Sequence, residues 1–376
     1  MKFNSNKIFF NEFLNRNKFV GLIINTIFYL LFFSLRQINK LFSTDNGIVV
    51  VIAMHRLGDT IFTIPSIRKI IEQFGTKIII VCFAESVPIY KHAFSEIEFS
   101  IVKRSDFYFQ ERIATNNIKQ KVKALNPRII FDLTGTMASA TLIFSIKAKQ
   151  IIGINGKWFK GIYDHYIEIR SYPTLTDIYL DAISPIIQIA KRTSPTNSSA
   201  SIIPNGKILI HPYARLKEKE WGFRKFFGLA EKINKDYKVS IIAQTNSINF
   251  DIIQEIINSN IAVLQTESTE DLIQGISKCS LFIGNDSGPL NIANFLNKPT
   301  FTIYGSTNPE FTATGSSYQI YTQKILNCSA KQNEKLCLAG GEIYQCPGIQ
   351  CMNLLTIKEI YEDIIPFLKK YCNRKE

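Results

Sequence analysis

Cysteine is scarce in this chain. Seven occur in 376 residues, five of them beyond position 327, which excludes a disulfide-stapled scaffold and favours a reducing compartment. There is no arginine-rich tail, no zinc-finger spacing and no aromatic–basic RNA-binding motif, so nucleic acid is not an expected partner. The first strand–helix turn lacks a G-x-G-x-x-G, and no acidic residue closes the second strand, which argues against an NAD-dependent dehydrogenase. No tandem repeat of fixed short period is present. Charged residues make up only 20% against 46% hydrophobic, the balance of a folded chain rather than a disordered one.

What is present is basic. Lys and Arg total 44 against 31 Asp and Glu, and the net charge of +13 favours an anionic partner: a nucleotide, a phosphorylated glycolipid or an acidic membrane surface. Phe19–Leu35 is uncharged and apolar apart from Asn25, Thr26 and Ser34, with Arg16 and Lys18 before it and Arg36 and Lys40 after. It is short for a membrane span, carries polar residues near its middle, and has no small-residue cleavage site. The expectation for residues 1–46 is a membrane-associating segment lying in the surface or re-entering it, with burial against the protein body or a true span as alternatives.

The remainder alternates strands and helices. Ile48–Met54 is a continuous apolar run, as in a buried parallel strand. After the loop HRLGD, apolar residues from Ile61 to Phe74 recur on one helical face, and Lys77–Phe83 begins the next strand. Arg128–Leu133 and Gln150–Gly153 read as further strands, Ile154–Tyr172 as an irregular loop, and Thr176–Ala190 as a helix broken at Pro185. The alternation restarts with strands at Lys207–Ile210, Val239–Ala243, Ile261–Leu264, Ser280–Ile283 and Thr300–Tyr304. Ser268 and Asp271 form a capping box for the helix that follows. The length suits two domains, placed at 47–195 and 207–355. A Ser/Thr/Pro-rich linker at 196–206 joins them, and a helix in 356–376 is expected to pack back on the first.

Three strand-end loops could carry chemistry. In IGNDSGP (283–289) two glycines allow tight geometry and Pro289 suits a first helical turn. N–H groups at Ser287 and Gly288 can cradle a phosphate, although a plain Asx turn capping a helix has the same pattern. In HRLGD, Asp59 is either an N-cap for a helix from Thr60 or a base for an attacking hydroxyl, and Arg56 could meet phosphate or a sugar carboxylate. HPYARLKEKEW (211–221) is either a charged surface loop or a place where Lys neutralises a departing diphosphate.

Taken in order, RLGDTIFTIPSIRKI at 56–70, HPYARLKEKEW, and FIGNDSGPLNIANFLNKPTFTIYGSTNP at 282–309 resemble the bacterial lipopolysaccharide heptosyltransferase family, glycosyltransferase family 9. The resemblance covers roughly residues 47–365. It implies a GT-B fold, two Rossmann-like α/β domains facing across a cleft. It also implies inverting, metal-independent transfer from an ADP-heptose donor to a lipopolysaccharide core or other glycolipid at the cytoplasmic face of the inner membrane. By position, Asp59 becomes the general base and Lys219 the diphosphate contact, with Lys217 as substitute. Asp286, Ser287, Gly288, Pro289 and Leu290 form the donor loop, and Arg56, Gly58, Asp132 and Gly135 line the acceptor side. Two positions depart from the family pattern. Asn291 stands where His is common, and Gln244 or Asn246 where relatives place Gly and a ribose-binding Glu, so another ADP- or UDP-sugar, or a non-catalytic membrane-bound homologue, is the alternative. No cofactor or metal is expected. Cys328, Cys337, Cys346 and Cys351 could supply four thiolates to a zinc ion, but packing or loop-bracing is their expected role, and Cys82 and Cys279 read as buried thiols.

Overall fold

A computed structural model describes residues 18–43, 46–75, 77–154, 157–168, 174–189, 199–244, 250–331, 334–337, 346 and 348–375. Its first element is a helix, α1 (Lys18–Leu41). The first α/β unit follows: β1 (Val49–Ile52), α2 (Leu57–Phe74), β2 (Ile78–Phe83), α3 (Val87–Ala93), β3 (Glu98–Val102), α4 (Asn116–Ala124), β4 (Ile129–Asp132), α5 (Met137–Ile143), β5 (Gln150–Ile154), β6 (His165–Ile167) and α6 (Leu175–Ile183). The second comprises β7 (Ile208–His211), α7 (Phe223–Asn234), β8 (Val239–Gln244), α8 (Phe250–Asn258), β9 (Ala262–Thr266), α9 (Thr269–Ser277), β10 (Leu281–Asn285), α10 (Gly288–Phe295), β11 (Thr300–Tyr304) and β12 (Gln319–Gln323), closed by α11 (Ile357–Tyr371).

Each unit contains a six-stranded parallel sheet, ordered β3-β2-β1-β4-β5-β6 and β9-β8-β7-β10-β11-β12. The chain runs outward from β1 to β3 and from β7 to β9, then crosses back to place β4 beside β1 and β10 beside β7, and such switch points open a crevice at the carboxyl ends of the strands. Central strands β1, β4, β7, β10 and β11 are buried at every residue, which is why apolar residues dominate them, without a break in β1. This is the GT-B architecture expected of the sequence.

Four differences from the sequence reading have local causes. The loop HRLGD is shorter than its pattern suggests, because Leu57, Gly58 and Asp59 already form the first turn of α2. Residues His165–Ile167, read as loop, form edge strand β6. The helix at 176–190 ends at Ile183, two residues before Pro185. Helix α11 packs on α7 in the core of the second unit, through Ile360, Ile364 and Leu368, and not on the first as expected. Gly228 makes room for it, since an added Cβ there would lie 2.8 Å from Ile357 Cδ1. The capping box forms as read, with Asp271 N donating to Ser268 Oγ and Ser268 N to Asp271 Oδ2.

Helix α1 covers the expected Phe19–Leu35 and continues to Leu41. One side docks on the first unit through Phe32, whose ring meets Phe144 and Phe159. Arg36 is 2% exposed and binds Asp164 at 2.5 Å and the Ala148 carbonyl at 2.8 Å. Gly161 lets the helix backbone settle, because a Cβ there would fall 2.4 Å from the Tyr29 carbonyl oxygen. On the other side Ile27, Leu30, Leu31, Ile38 and Leu41 are exposed.

Candidate active site

The second unit's crevice is built from three neighbouring strand ends. Beyond β10 the chain turns through Asp286 into Ser287, which takes extended backbone (φ −148°, ψ 167°) and starts α10 with Pro289 in its first turn. The Ser287 hydroxyl makes no capping bond and is buried without a partner, as are His211 Nδ1 at the end of β7 and Thr307 Oγ1 beyond β11. These are three of six such buried side-chain atoms among the described residues, and all three lie at adjacent strand ends. A buried polar atom without a partner costs about 1–3 kcal/mol, so this clustering points to a place that a polar ligand completes. Burial holds His211 neutral, pushing its pKa down to about 4 against the opposing effect of the Tyr213 backbone.

Lys219 reaches this edge from the loop between β7 and α7. Its Nζ lies 2.5 Å from Asp286 Oδ2, with the two side chains 19% and 4% exposed. Lys217 points outward, 85% exposed and paired with Glu220, so Lys219 is the lysine that meets the donor loop. Asp286 therefore faces a cation inside the protein, which answers how a carboxylate can sit at the start of a helix turn suited to phosphate. Sequence reasoning missed Asn285. Fully buried, it donates from Nδ2 to the Pro212 carbonyl at 2.9 Å and accepts from the Trp221 N–H at 3.0 Å, tying both ends of the 212–221 loop to β10. Its signal was a polar residue closing an apolar strand. Leu290 and Pro289 are buried, Leu290 within the core. Gln244 is the last residue of β8, and Asn246 lies outside the described residues.

Across from this edge, α2 begins at Leu57 with Arg56 as N-cap, and no side-chain capping bond forms. Asp59 is thus in the first turn rather than at the cap, and among the described residues no hydrogen bond or ion pair engages its carboxylate. The helix dipole favours an anion there. Behind it, buried His55 donates from Nε2 to the Leu133 carbonyl at 3.0 Å and stands edge-on to Tyr179. Burial lowers the His55 pKa, and the charge of Asp59 works against that. Gly58 brings the two units together, since a Cβ on it would meet Asn291 Nδ2 at 3.1 Å and Gly288 Cα at 3.3 Å. Arg56 is lowered in pKa by partial burial, then by the like charges of Arg215 from the second unit and Arg104 from the first. Cations from both sides therefore share one space, with Glu111 and Glu85 acting the other way on Arg56, and the excess of positive charge suits an anionic occupant.

Asp132 lies behind the turn that follows β4. It is fully buried, accepting from Tyr163 Oη at 2.6 Å and from the N–H groups of Thr134 at 3.0 Å and Gly135 at 3.1 Å. Burial raises its pKa to about 6, against these hydrogen bonds. It shapes the turn that puts Thr134 and Thr136 on the wall of a cavity of about 920 Å³. Gly135, at φ +62°, packs on Ile154, where a Cβ would fall 2.8 Å from the carbonyl oxygen.

The model of a family described as glycosyltransferase family 9 (heptosyltransferase) matches residues 116–343, more than half the chain. The chain belongs to glycosyltransferase family 9. The matched span holds Lys219 and Asp286–Leu290 and begins after Arg56–Asp59. The lipopolysaccharide heptosyltransferase 1 of Campylobacter coli is 32% identical over 108 residues, which cover 27% of this chain and 32% of that protein. The chain thus matches about a third of that relative's length. Among solved structures, the E. coli ADP-heptose lipopolysaccharide heptosyltransferase II is similar at 15% identity and a TM-score of 0.63, covering 86% of this chain and 99% of that one. A family 9 glycosyltransferase from Veillonella parvula is similar at 15% identity and 0.66, covering 87% and 98%. An E. coli heptosyltransferase solved with ADP gives 14% and 0.61, covering 86% and 98%. Likeness at such identity shows the GT-B fold, and the fold together with family 9 membership supports glycosyl transfer from a nucleotide-sugar.

Two further expectations bear on this family 9 chain. Among the described residues no group of three or more His, Cys, Asp or Glu is placed to hold a metal ion, so Cys328, Cys337, Cys346 and Cys351 form no cage there. Cys351 has its thiol pushed up to about 11, by burial first and then by the neighbouring Cys337, Cys346 and Cys328. Among the described residues no helix is long and apolar enough to cross a membrane.

Proposed function

We propose that this chain transfers heptose from ADP-heptose to a lipopolysaccharide core acceptor, with inversion and without a divalent cation. The observation that carries the reading is the unpartnered Ser287 hydroxyl at the start of α10, with Lys219 beside it and Asp59 across the Gly58–Gly288 contact. The helix N-terminus, Ser287 and Lys219 suit a diphosphate, and sharing Lys219 with Asp286 keeps the cation in place before the donor arrives. Asp59 takes the proton of the acceptor hydroxyl. That oxygen bonds to the anomeric carbon from the face opposite the diphosphate, and the carbon–oxygen bond to ADP breaks with its electron pair. Charge growing on the departing ADP is met by Lys219 and the helix N–H groups, the task a metal ion performs elsewhere. The names of the relatives support heptose and lipopolysaccharide, and Gln244, Asn246 and Asn291 are where another ADP- or UDP-sugar would be selected.

The outward apolar face of α1, with Lys40 beside it, supports peripheral or monotopic attachment to an anionic membrane, at the cytoplasmic face of an inner membrane where such an acceptor is built. A calorimetric screen of ADP- and UDP-sugars tests the donor. Preference for ADP-heptose is expected. A UDP-sugar preference would sink the donor assignment and leave transfer standing, whereas binding of no nucleotide sugar would favour a non-catalytic homologue.

A further inference from the structure

The cavity of about 920 Å³ lies beside Arg56, at the carboxyl edge of the first sheet, and one of its walls is helix α1. Phe28 and Phe32 from that helix, with Phe159, Phe83 and Phe107 from the body, make a largely apolar lining. Phe28 stacks on Phe32 at 6.0 Å, and Phe32 meets Phe159 at 5.8 Å. Three guanidinium groups, from Arg56, Arg104 and Arg112, line the same space. Arg104 is compensated by Glu85 and Glu111. Among the described residues, no ion pair engages Arg56 or Arg112. An aromatic slot with two cations that lack an ion-pair partner, Arg56 feeling Glu85 and Glu111 only at longer range, complements a molecule that is apolar at one end and anionic at the other.

The rim beside Arg112 is strained. Phe109, Gln110 and Glu111 are consecutive non-glycine residues with φ of 51°, 59° and 65°. Each costs on the order of 1–2 kcal/mol in that region. Gln110 and Glu111 line the cavity, so the strain sits where a ligand would press on the chain. Outside the cavity, α1 continues as exposed Ile27, Leu30 and Leu31, so apolar surface runs from the slot to the face assigned to the membrane.

We infer that this cavity is a binding site for the lipid-proximal part of an anionic, lipid-linked acceptor. Its apolar part lies between α1 and the first sheet, with its phosphate or carboxylate on Arg56 and Arg112. The inference rests on the transferase reading for calling the ligand an acceptor. Helix α1 then has two roles on opposite sides, one toward the membrane and one toward the substrate drawn from it.

The test uses the full-length chain in nanodiscs of phosphatidylcholine, titrated calorimetrically with dihexanoyl phosphatidic acid below its micelle concentration. Dihexanoyl phosphatidylcholine and inorganic phosphate are the comparison probes. Phosphatidic acid is expected to bind at least about tenfold more tightly than either, and Arg112→Gln and Phe159→Gln should each weaken it by about tenfold. Ile38→Gln, on the outer face, should leave that affinity unchanged. Equal binding of inorganic phosphate would reduce the site to an anion pocket, and equal binding of phosphatidylcholine would remove the charge recognition. Either result overturns the inference, as does wild-type affinity in both cavity variants. ADP binding at the second unit confirms that each variant is folded, and Phe159→Leu replaces Phe159→Gln if that protein fails. Amphiphile binding without nucleotide-sugar binding would sink the transferase reading alone, and the reverse would sink this one alone.

Discussion

Gly58 and Gly288 meet backbone to backbone, so that a Cβ built on Gly58 would stand 3.3 Å from the Cα of Gly288 and 3.1 Å from Asn291 Nδ2. A methyl group there fits only if Asn291 or the Gly288 backbone gives by a few tenths of an ångström. Gly58→Ala should therefore act on geometry more than on stability. Alanine favours the helix by up to about 1 kcal/mol, which offsets the crowding. The expected outcome is a thermal midpoint near that of wild type and kcat/KM lowered about tenfold, because small misplacements of reacting groups are expensive in rate. Unchanged kcat/KM would show that the two loops need not meet this closely.

Asp59→Asn removes the proposed base and keeps the shape. Transfer should fall by about 10²–10⁴-fold, while calorimetric affinity for the ADP-sugar stays within about twofold. A parallel loss of donor binding would place Asp59 in donor recognition instead.

The site was legible in unequal parts. The turn into α10 could be read because its glycines, serine and proline each have a local geometric reason to be there. Asp59 could not be separated from a helix cap, since both roles place a carboxylate near an N-terminus, and the observed start of α2 at Leu57 removes only the cap. The burial of Asp132 was not legible, because it depends on Tyr163, a partner 31 residues away. In the fold, continuous apolar strands were recognised. Edge strands β3, β6 and β12 were not, because EFSIV, HYI and QIYTQ are half-exposed and mix polar with apolar residues.

Asn285→Ala should expose how the lysine loop is held. It leaves the Pro212 carbonyl and the Trp221 N–H without their buried partner, a loss of about 2–3 kcal/mol. Denaturant melts should show that loss, and donor affinity should fall with it as Lys219 loses its fixed approach. Stability loss with full donor affinity would separate the loop from the site.

Asp132 predicts a pH dependence with a definite sign. Its pKa is raised from 3.8 to about 6 on folding, so the folded state binds the proton more tightly than the unfolded state does. Its contribution is most favourable below about 4 and is lost as pH rises through about 6. Asp132→Asn should flatten that slope in denaturant midpoints measured between these limits. An unchanged slope would assign it to other groups.

Asp164 behaves in the opposite way. Burial would raise its pKa, but the hydrogen bond and charge of Arg36, the Ile151 N–H and Lys40 hold it below the usual carboxylate range. Its stabilisation is present above the ordinary carboxylate pKa and is lost as pH falls through the lowered value. Arg36→Met breaks the buried pair, at a cost of up to about 3–5 kcal/mol moderated by Lys40. Limited proteolysis should then release α1 while the two sheets persist. Resistance equal to wild type would mean that Phe32 and Gly161 suffice to hold it.

The same fixed docking of α1 has a geometrical consequence. With the Arg36–Asp164 pair and the backbone seated on Gly161, the helix cannot swing independently of the first sheet. A bilayer touching its outer face would therefore meet the protein at one tilt, and Asp59 would stand at one height above the headgroups. The helix would then act as a gauge, admitting acceptors whose hydroxyl projects by that distance and passing over those that are a sugar too short or too long.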